Sequence, residues 1–357
     1  MTVYIVDIEA VDTRYTKQWK EHLPEQLQRA LVQDTAVLAE VEVISGGDVP
    51  QSTTPGAFLN FGGTNVYKSN QLMQIATLFC EGKVNDGDYF LYTDAWNPTV
   101  IQLRYMAELL GVNITIGGLW HAGSYDPQDF LGRLIGDKPW VRHAESSMYA
   151  CYDHNFFATQ FHIDMFAETF SIRNLVQPPE RVGWPMEYLR NSMDNYKGMQ
   201  KRDLILFPHR IAPEKQPEIF RDLKESMPQY DWVVCQEQEL SKNEYHNLLG
   251  EAKLVFSANL QETLGISWYE GALVEAIPMV PDRLSYSEMT DAFKYPSEWT
   301  ENYDKYLENK TNIMGQIQDY MSNYNGYVPA IHRVLKKLET DFFSGKQLYS
   351  VIRNAIS

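Results

Sequence analysis

The sequence predicts an α/β protein made of two doubly wound, largely parallel sheets in separate lobes. Three observations lead there. Short apolar runs of strand length alternate with helical stretches along most of the chain, as strand–crossover–strand units require. The alternation pauses at Gly183-Trp-Pro185 and a polar stretch from Asn191 to Lys201, then resumes. A length of 357 residues suits two domains of ordinary size.

In the first lobe, Val3 to Ile8 reads as a strand and Thr13 to Leu31 as a helical stretch interrupted by Pro24. Val37 to Ile44 reads as the second strand, and Asp48 to Gly63, rich in Gly, Pro, Ser and Thr, as a loop. Asn70 to Cys80 is a helix, Tyr89 to Thr93 a strand, Pro98 to Leu110 a helix and Val112 to Ile116 a strand. Val176 to Val182 returns to the sheet edge. In the second lobe the strands are Leu204–Phe207, Trp232–Cys235, Leu254–Phe256 and Met279–Val280. A four-residue apolar run such as Leu204–Phe207 suits a sheet covered on both faces. Glu218 to Ser226 reads as a helix, and the apolar run Leu273 to Ile277 as the end of another, stopped by Pro278. After Thr300 the chain turns helical and polar, with amphipathic helices at Val328–Leu338 and Phe342–Ile356. The expected division is 1–185, 186–325, and terminal helices over 326–357.

Hydrophobic residues make up 44% and charged residues 22%, a globular balance. No apolar run approaches the roughly 20 residues of a membrane helix, so no membrane partner is expected. The chain goes straight into the strand Val3–Val6, and no signal peptide is expected. Cys80, Cys151 and Cys235 lack metal-type spacing and form no disulfide framework. A cytoplasmic location follows, that of a host cell if the chain is phage-encoded. A net charge of −16 argues against broad nucleic-acid binding, though not against a local basic groove. The 22 Tyr and 8 Trp are read chiefly as core.

Two segments carry chemistry. Leu204-Ile-Leu-Phe-Pro-His-Arg210 continues through Pro213-Glu-Lys215. It places two cations at the carboxyl end of a strand, where open α/β sheets bind ligands. Arginine grips an oxyanion through two N–H groups and lysine acts as a point charge. The second segment holds Glu262 and Glu270 around Thr263-Leu-Gly265, after the strand Ala252–Phe256. Glu262 falls at a helix mouth and Glu270 two turns inside. The free N–H groups of a helix's first turn suit a diphosphate, and a nearby carboxylate accepts hydrogen bonds from sugar hydroxyls.

Together these segments resemble the family 4 retaining glycosyltransferases of the GT-B fold, in which two Rossmann-like doubly wound domains face each other across a cleft. The resemblance is strongest over residues 200–290. It implies that Arg210 and Lys215 stabilise the leaving diphosphate, that Glu262 contacts the donor sugar and that Glu270 binds the donor ribose. Thr263, Leu264 and Gly265 join the donor site. The chain departs from the family in having His209 where Gly is usual, and Glu275 or Ala276 where a later Gly stands. Pro281-Asp-Arg-Leu-Ser-Tyr-Ser-Glu288 is similar to a stretch of the tRNA-queuosine mannosyltransferase branch. The nucleobase pocket is placed at Cys235–Glu239 and Tyr245, and in GT-B enzymes a final helix, here Gln347–Ile356, crosses back to the first domain.

In the first lobe, His121 follows Gly117-Gly-Leu-Trp120 and is a candidate catalytic residue. Asp94, Asp12 and Gly63 are acceptor-side candidates, Gly63 within the Gly-rich Phe61-Gly-Gly-Thr-Asn65 and Asp12 in a cluster with Asp7 and Glu9. The spacings Asp153-His154 and His162-Ile-Asp164 fit helix faces as well as a metal, and the resemblance implies no metal and no bound cofactor. The co-substrate is then a UDP- or GDP-sugar. The favoured acceptor is a hydroxymethylated base in phage DNA or another nucleic-acid base. The alternatives are a glycan, lipid or small molecule, or a non-catalytic GT-B scaffold that only binds. Oligomeric state is not readable from the sequence.

Overall fold

The computed structural model describes residues 1–10, 15–33, 39–50, 52, 54, 59–170 and 177–357. Asp12, the start of the first helix at Thr13, the start of the second strand at Val37 and the start of the edge strand at Val176 lie outside the described residues. The chain divides into two compact units, Met1–Met186 with Ser344–Ser357, and Glu187–Phe343.

The first unit holds six strands: β1 (Thr2–Val6), β2 (Glu40–Ile44), β3 (Tyr89–Tyr92), β4 (Thr115–Trp120), β5 (His154–Phe157) and β6 (Pro179–Arg181). Their order is β2-β1-β3-β4-β5-β6, and every neighbouring pair is parallel. The helices are α1 (Tyr15–Gln33), α2 (Phe61–Cys80), α3 (Thr99–Leu110), α4 (Phe130–Ile135), α5 (Pro139–Cys151) and α6 (Gln160–Phe170). The second unit holds α7 (Tyr188–Met193), β7 (Arg202–Phe207), α8 (Pro217–Ser226), β8 (Asp231–Val234), α9 (Lys242–Glu251), β9 (Ala252–Phe256), α10 (Ile266–Leu273), β10 (Ile277–Pro281), α11 (Tyr286–Met289), β11 (Lys294–Tyr295), α12 (Tyr303–Ser322) and α13 (Tyr324–Asp341). Its sheet is parallel too, in the order β11-β10-β9-β7-β8. The last helix, α14 (Lys346–Ala355), belongs to the first unit. Residues 326–343 therefore fold with the second unit and 344–357 with the first. No helix among the described residues is long and apolar enough to cross a membrane.

The central strands are the continuous apolar runs of the sequence. Tyr89–Tyr92 and Leu204–Phe207 are fully buried, as strands covered on both faces must be. The edge strand β2 carries Glu40 and Glu42, both charged, which discourages pairing with another chain.

Several expectations are corrected. Pro24 does not interrupt the first helix, because α1 runs through it to Gln33. Trp19, Leu23, Leu27 and Leu31 recur every four residues and are all buried, and this stripe outweighs the one backbone bond that proline removes. Phe61–Asn65 is not a loop, since Asn60 caps α2 and its Oδ1 accepts from the Gly63 N–H at 2.8 Å. The fourth strand starts at Thr115 and reaches Trp120, so Gly117–Trp120 lie in it. Gly118 leaves room there for the Tyr152 ring, 2.6 Å from where a Cβ would stand.

Pro278 stops no helix. Helix α10 ends at Leu273 because Glu275 turns left-handed (φ 66°) and the Ala276 N–H returns to the Gly271 carbonyl, a helix-ending turn. Pro278 sits inside β10, opposite Val255. Its missing N–H faces the β11 side, where that strand pairs only Val280 and Pro281, so no ladder bond is lost. The expected helix Phe342–Ile356 is broken, since Phe342 and Phe343 are buried and the Phe343 ring stacks on Tyr269 at 3.7 Å.

If packing carries α1 across its proline, two substitutions move stability in opposite directions. Leu27→Ala lowers the unfolding free energy in urea by about 2–5 kcal/mol, and Pro24→Ala raises it by about 1 kcal/mol or more. A loss of stability in Pro24→Ala contradicts this account.

Candidate functional site

In an open parallel sheet, loops diverge where one strand's connection leaves to one side and its neighbour's to the other. In the second unit this point lies between β7 and β9, since β7 leads to β8 on one side and β9 leads to β10 on the other. Arg210 and Lys215 follow β7, and Glu262 and Gly265 follow β9. The topology alone thus brings together residues about 50 positions apart.

Lys215 is buried at the end of a short 3-10 turn, Pro213–Lys215. Its Nζ donates to the Gln261 carbonyl and lies 3.2 Å from Glu262 Oε2. Asn259 Nδ2 donates to the same oxygen at 3.2 Å. Burial alone would raise the Glu262 pKa, but Lys215 and His209 bring it below the usual carboxylate value. Glu262 is therefore an anion held by a buried cation. Arg210 is paired with Glu214, which is buried.

Two side chains that the sequence reading gave no role fix these loops. Gln216 Nε2 donates to the Ala258 carbonyl at 2.6 Å and to that of Thr300 at 2.7 Å. The Arg283 guanidinium donates to the carbonyls of Asn259 (2.7 Å), Ala258 (2.8 Å), Ser297 (2.9 Å) and Thr300 (3.1 Å). Tyr286 adds a bond from Asn259 Nδ2 to its hydroxyl at 3.0 Å. Arg283 and Tyr286 lie in Pro281–Glu288, so that stretch was the available signal, though its spacing does not say what they hold.

Gly265 caps α10 with φ 78°, and no side chain caps the first turn. A Cβ there would stand 2.1 Å from Trp268 Nε1, so only glycine fits. Leu264 is buried and Thr263 half-buried beside it. Glu270 is one turn into α10 rather than two, buried, and accepts from the Tyr245 hydroxyl at 3.0 Å. Burial pushes its pKa up to about 7. Around this end of the sheet, four buried polar atoms have no partner: His209 Nε2, Asn259 Oδ1, Trp268 Nε1 and Ser285 Oγ. Unpaired buried polar atoms are costly, so each needs a physical reason.

The first unit repeats the topology. Its switch point lies between β1 and β3, and Asp7, Glu9 and Asp94 follow those strands. Asp7 is buried, accepts from Gln71 Nε2 at 3.0 Å and pairs with Lys20 at 3.2 Å. Asp94 pairs with Lys68 at 3.2 Å, and against the effect of burial Lys68 and His121 lower its pKa. Glu9 is buried with Oε2 unpartnered, and burial raises its pKa. His121 has both ring nitrogens engaged, Nε2 at 2.5 Å from the Thr93 carbonyl and Nδ1 at 2.7 Å from the Tyr15 hydroxyl. Its ring packs on Trp184 and Trp19, and burial lowers its pKa. Gly63 belongs to the first turn of α2, and Asp12 lies outside the described residues.

The metal-like spacings are spoken for by protein partners. Asp153 pairs with Arg104 at 2.6 Å, His154 with Glu180 at 2.7 Å, and His162 with the Tyr125 hydroxyl at 2.5 Å. Among the described residues no group of three or more His, Cys, Asp or Glu is placed to hold a metal ion.

The raised Glu270 pKa gives a signed prediction. Between pH 4.5 and about 7 the folded protein keeps a proton that the unfolded chain releases. Stability falls as pH rises through that window, by on the order of 3 kcal/mol in all. Glu270→Gln removes the titration, so the stability of the wild type relative to the variant declines over this range in urea unfolding. A flat difference contradicts the assignment.

No protein-family model matches the chain, and no curated protein matches it. Solved structures do. The catalytic domain of starch synthase IV from Arabidopsis thaliana, bound to ADP and acarbose, is similar with a TM-score of 0.62 at 9% identity, covering 99% of this chain and 99% of that one. The N-terminal domain of Candida albicans trehalose-6-phosphate phosphatase is similar at 0.60 and 11%, covering 100% and 99%. WaaG, a glycosyltransferase involved in lipopolysaccharide biosynthesis, is similar at 0.56 and 10%, covering 99% of each chain. At such identities the likeness is one of fold, and the fold of this chain is GT-B, with two Rossmann-like domains.

Proposed function

We propose that this protein is a glycosyltransferase that moves a sugar from a UDP- or GDP-sugar to an acceptor hydroxyl with retention of anomeric configuration. The observation that carries the reading is the convergence of Arg210, Lys215, Glu262 and the uncapped N-terminus of α10 at the switch point of the second sheet. Its two cations and open helix N–H groups supply hydrogen-bond donors where a diphosphate departs. The ADP bound to the starch synthase and the glycosyltransferase activity of WaaG support it by analogy of fold.

In this reading the bond between the anomeric carbon and the phosphate oxygen breaks while the acceptor oxygen bonds to the same face of that carbon. The departing diphosphate takes the acceptor's proton. Arg210 and Lys215 stabilise the new charge, Glu262 orients the sugar, Glu270 and Tyr245 receive the nucleoside, and Thr263, Leu264 and Gly265 line the donor. His121 and Asp94 are assigned to the acceptor side. With both nitrogens engaged, His121 acts there as a fixed hydrogen-bonding element, not as a proton carrier. The likeness of Pro281–Glu288 to a nucleoside-modifying branch supports a hydroxymethylated base in DNA as acceptor. At a net charge of −16, contacts to DNA phosphates would have to be local.

The test is release of nucleoside diphosphate from a panel of UDP- and GDP-sugars, with and without hydroxymethylcytosine DNA. Release that needs the DNA supports donor and acceptor together, release without that dependence supports the donor alone, and no release or binding from any donor removes the reading. NMR of the product anomer checks retention. Lys215→Ala is expected to cut turnover by about 100-fold or more in a variant that still folds, and unchanged turnover refutes the phosphate role.

A further inference from the structure

His209 stands two residues past β7, immediately before Arg210, and is closed off from solvent with 4% exposure. Burial, with Lys215 beside it, lowers its pKa to about 3. The ring is therefore neutral, with one nitrogen protonated and the other carrying a lone pair. Nδ1 lies 3.4 Å from the Ser267 hydroxyl. Nε2 has no hydrogen-bond partner.

The position of that orphan matters more than its existence. Ser267 is the second residue of α10, whose N-cap Gly265 has no side chain to satisfy the first-turn N–H groups. The unpaired imidazole nitrogen thus sits with the open end of a helix and a buried lysine. Glu262, the nearby anion, is turned to Lys215 and Asn259. The open first-turn N–H groups and Lys215 are hydrogen-bond donors, and the ligand that suits them is an anionic oxygen. In the tautomer that lets the Ser267 hydroxyl donate to Nδ1, the ring proton is on Nε2, where such an oxygen accepts it.

We infer that His209 is a diphosphate-binding residue, its Nε2–H donating to a phosphate oxygen of the nucleotide donor beside Lys215 and the N-terminus of α10. The inference rests on the donor reading above and adds a residue to it. Where glycine offers only its backbone, this chain offers a neutral imidazole, which adds a directed donor without a further charge. Besides the Ser267 hydroxyl, the Phe256 backbone is a polar neighbour of the ring, and neither gives Nε2 a hydrogen bond.

Calorimetric titration of UDP, GDP and ADP, and of the matching nucleosides, into the wild type, His209→Ala, His209→Gln and Lys215→Ala tests this. A hydrogen bond to a charged group predicts that His209→Ala weakens the best-bound diphosphate by about 10-fold or more, leaves the nucleoside within about twofold, and is partly rescued by the side-chain amide of His209→Gln. Circular dichroism and thermal midpoints show whether each variant folds, and His209→Gln carries the comparison if the alanine variant does not. Wild-type affinity in His209→Ala, or equal loss for nucleoside and diphosphate, overturns the inference. If Lys215→Ala weakens binding and His209→Ala does not, the donor reading stands and only this inference falls. If the wild type binds no nucleoside diphosphate, both fall.

Discussion

Parallel pairing of β7 with β9 is the constraint from which the rest of the second unit follows. Their connections leave in opposite directions, so the loops beyond them part and leave an open place at their carboxyl ends. Loops that part must be held by something other than sheet hydrogen bonds. Gln216 and Arg283 supply that, each donating to the carbonyls of Ala258 and Thr300. Gln216 adopts a left-handed backbone (φ 51°) directly after Lys215, so the residue that ties the loops also sets where Lys215 emerges. The Glu262 loop and the Lys215 loop are thereby fixed to the same anchor.

Burial then sets the charge states. Glu262 and Glu270 lie eight positions apart in one segment, yet their pKa values move in opposite directions. Glu262 faces Lys215 and stays an anion, whereas burial outweighs the Tyr245 hydroxyl and the charge of Lys242 at Glu270 and pushes it towards neutrality. The difference comes largely from the partner, since Glu262 has a lysine within 3.2 Å and Glu270 has no ion pair so close among the described residues. A carboxyl group near half-protonation can donate as well as accept, which suits recognition of ribose hydroxyls in the proposed donor site. His209 follows the same logic, because enclosure beside a lysine keeps the ring neutral. The first unit carries a parallel arrangement in which Asp7 and Asp94 have lysine partners while Glu9 keeps one oxygen unpaired.

How much was legible in the sequence varied with the range of the interactions involved. Strands β1, β3, β7 and β9 were readable because a strand buried on both faces has to be a continuous apolar run. The region from Ser124 to Phe170 was not, since the burial of its elements depends on an aromatic cluster, Trp120, Tyr125, Tyr149, Phe157 and Phe166, gathered from separate elements. Prolines misled twice. Local chemistry reads Pro24 and Pro278 as breaks, but one is carried by a buried stripe and the other faces a strand edge with no ladder to complete.

By itself the sequence determined the alternation of strands and helices, the pause between two lobes, and the order and spacing of Arg210, Lys215, Glu262, Gly265 and Glu270. Each of these rests on side-chain character or on short spacing along the chain, which a linear sequence displays. Tertiary structure decided which of those residues meet, the opposite pKa shifts of the two glutamates, and the contacts of Gln216, Asn259, Arg283 and His209. Gln216 reaches Thr300 across 84 positions and Arg283 reaches Ala258 across 25, and no local pattern records a hydrogen bond over such distances. Charge state likewise depends on what encloses a carboxyl group, and that is known only once the chain has packed around it.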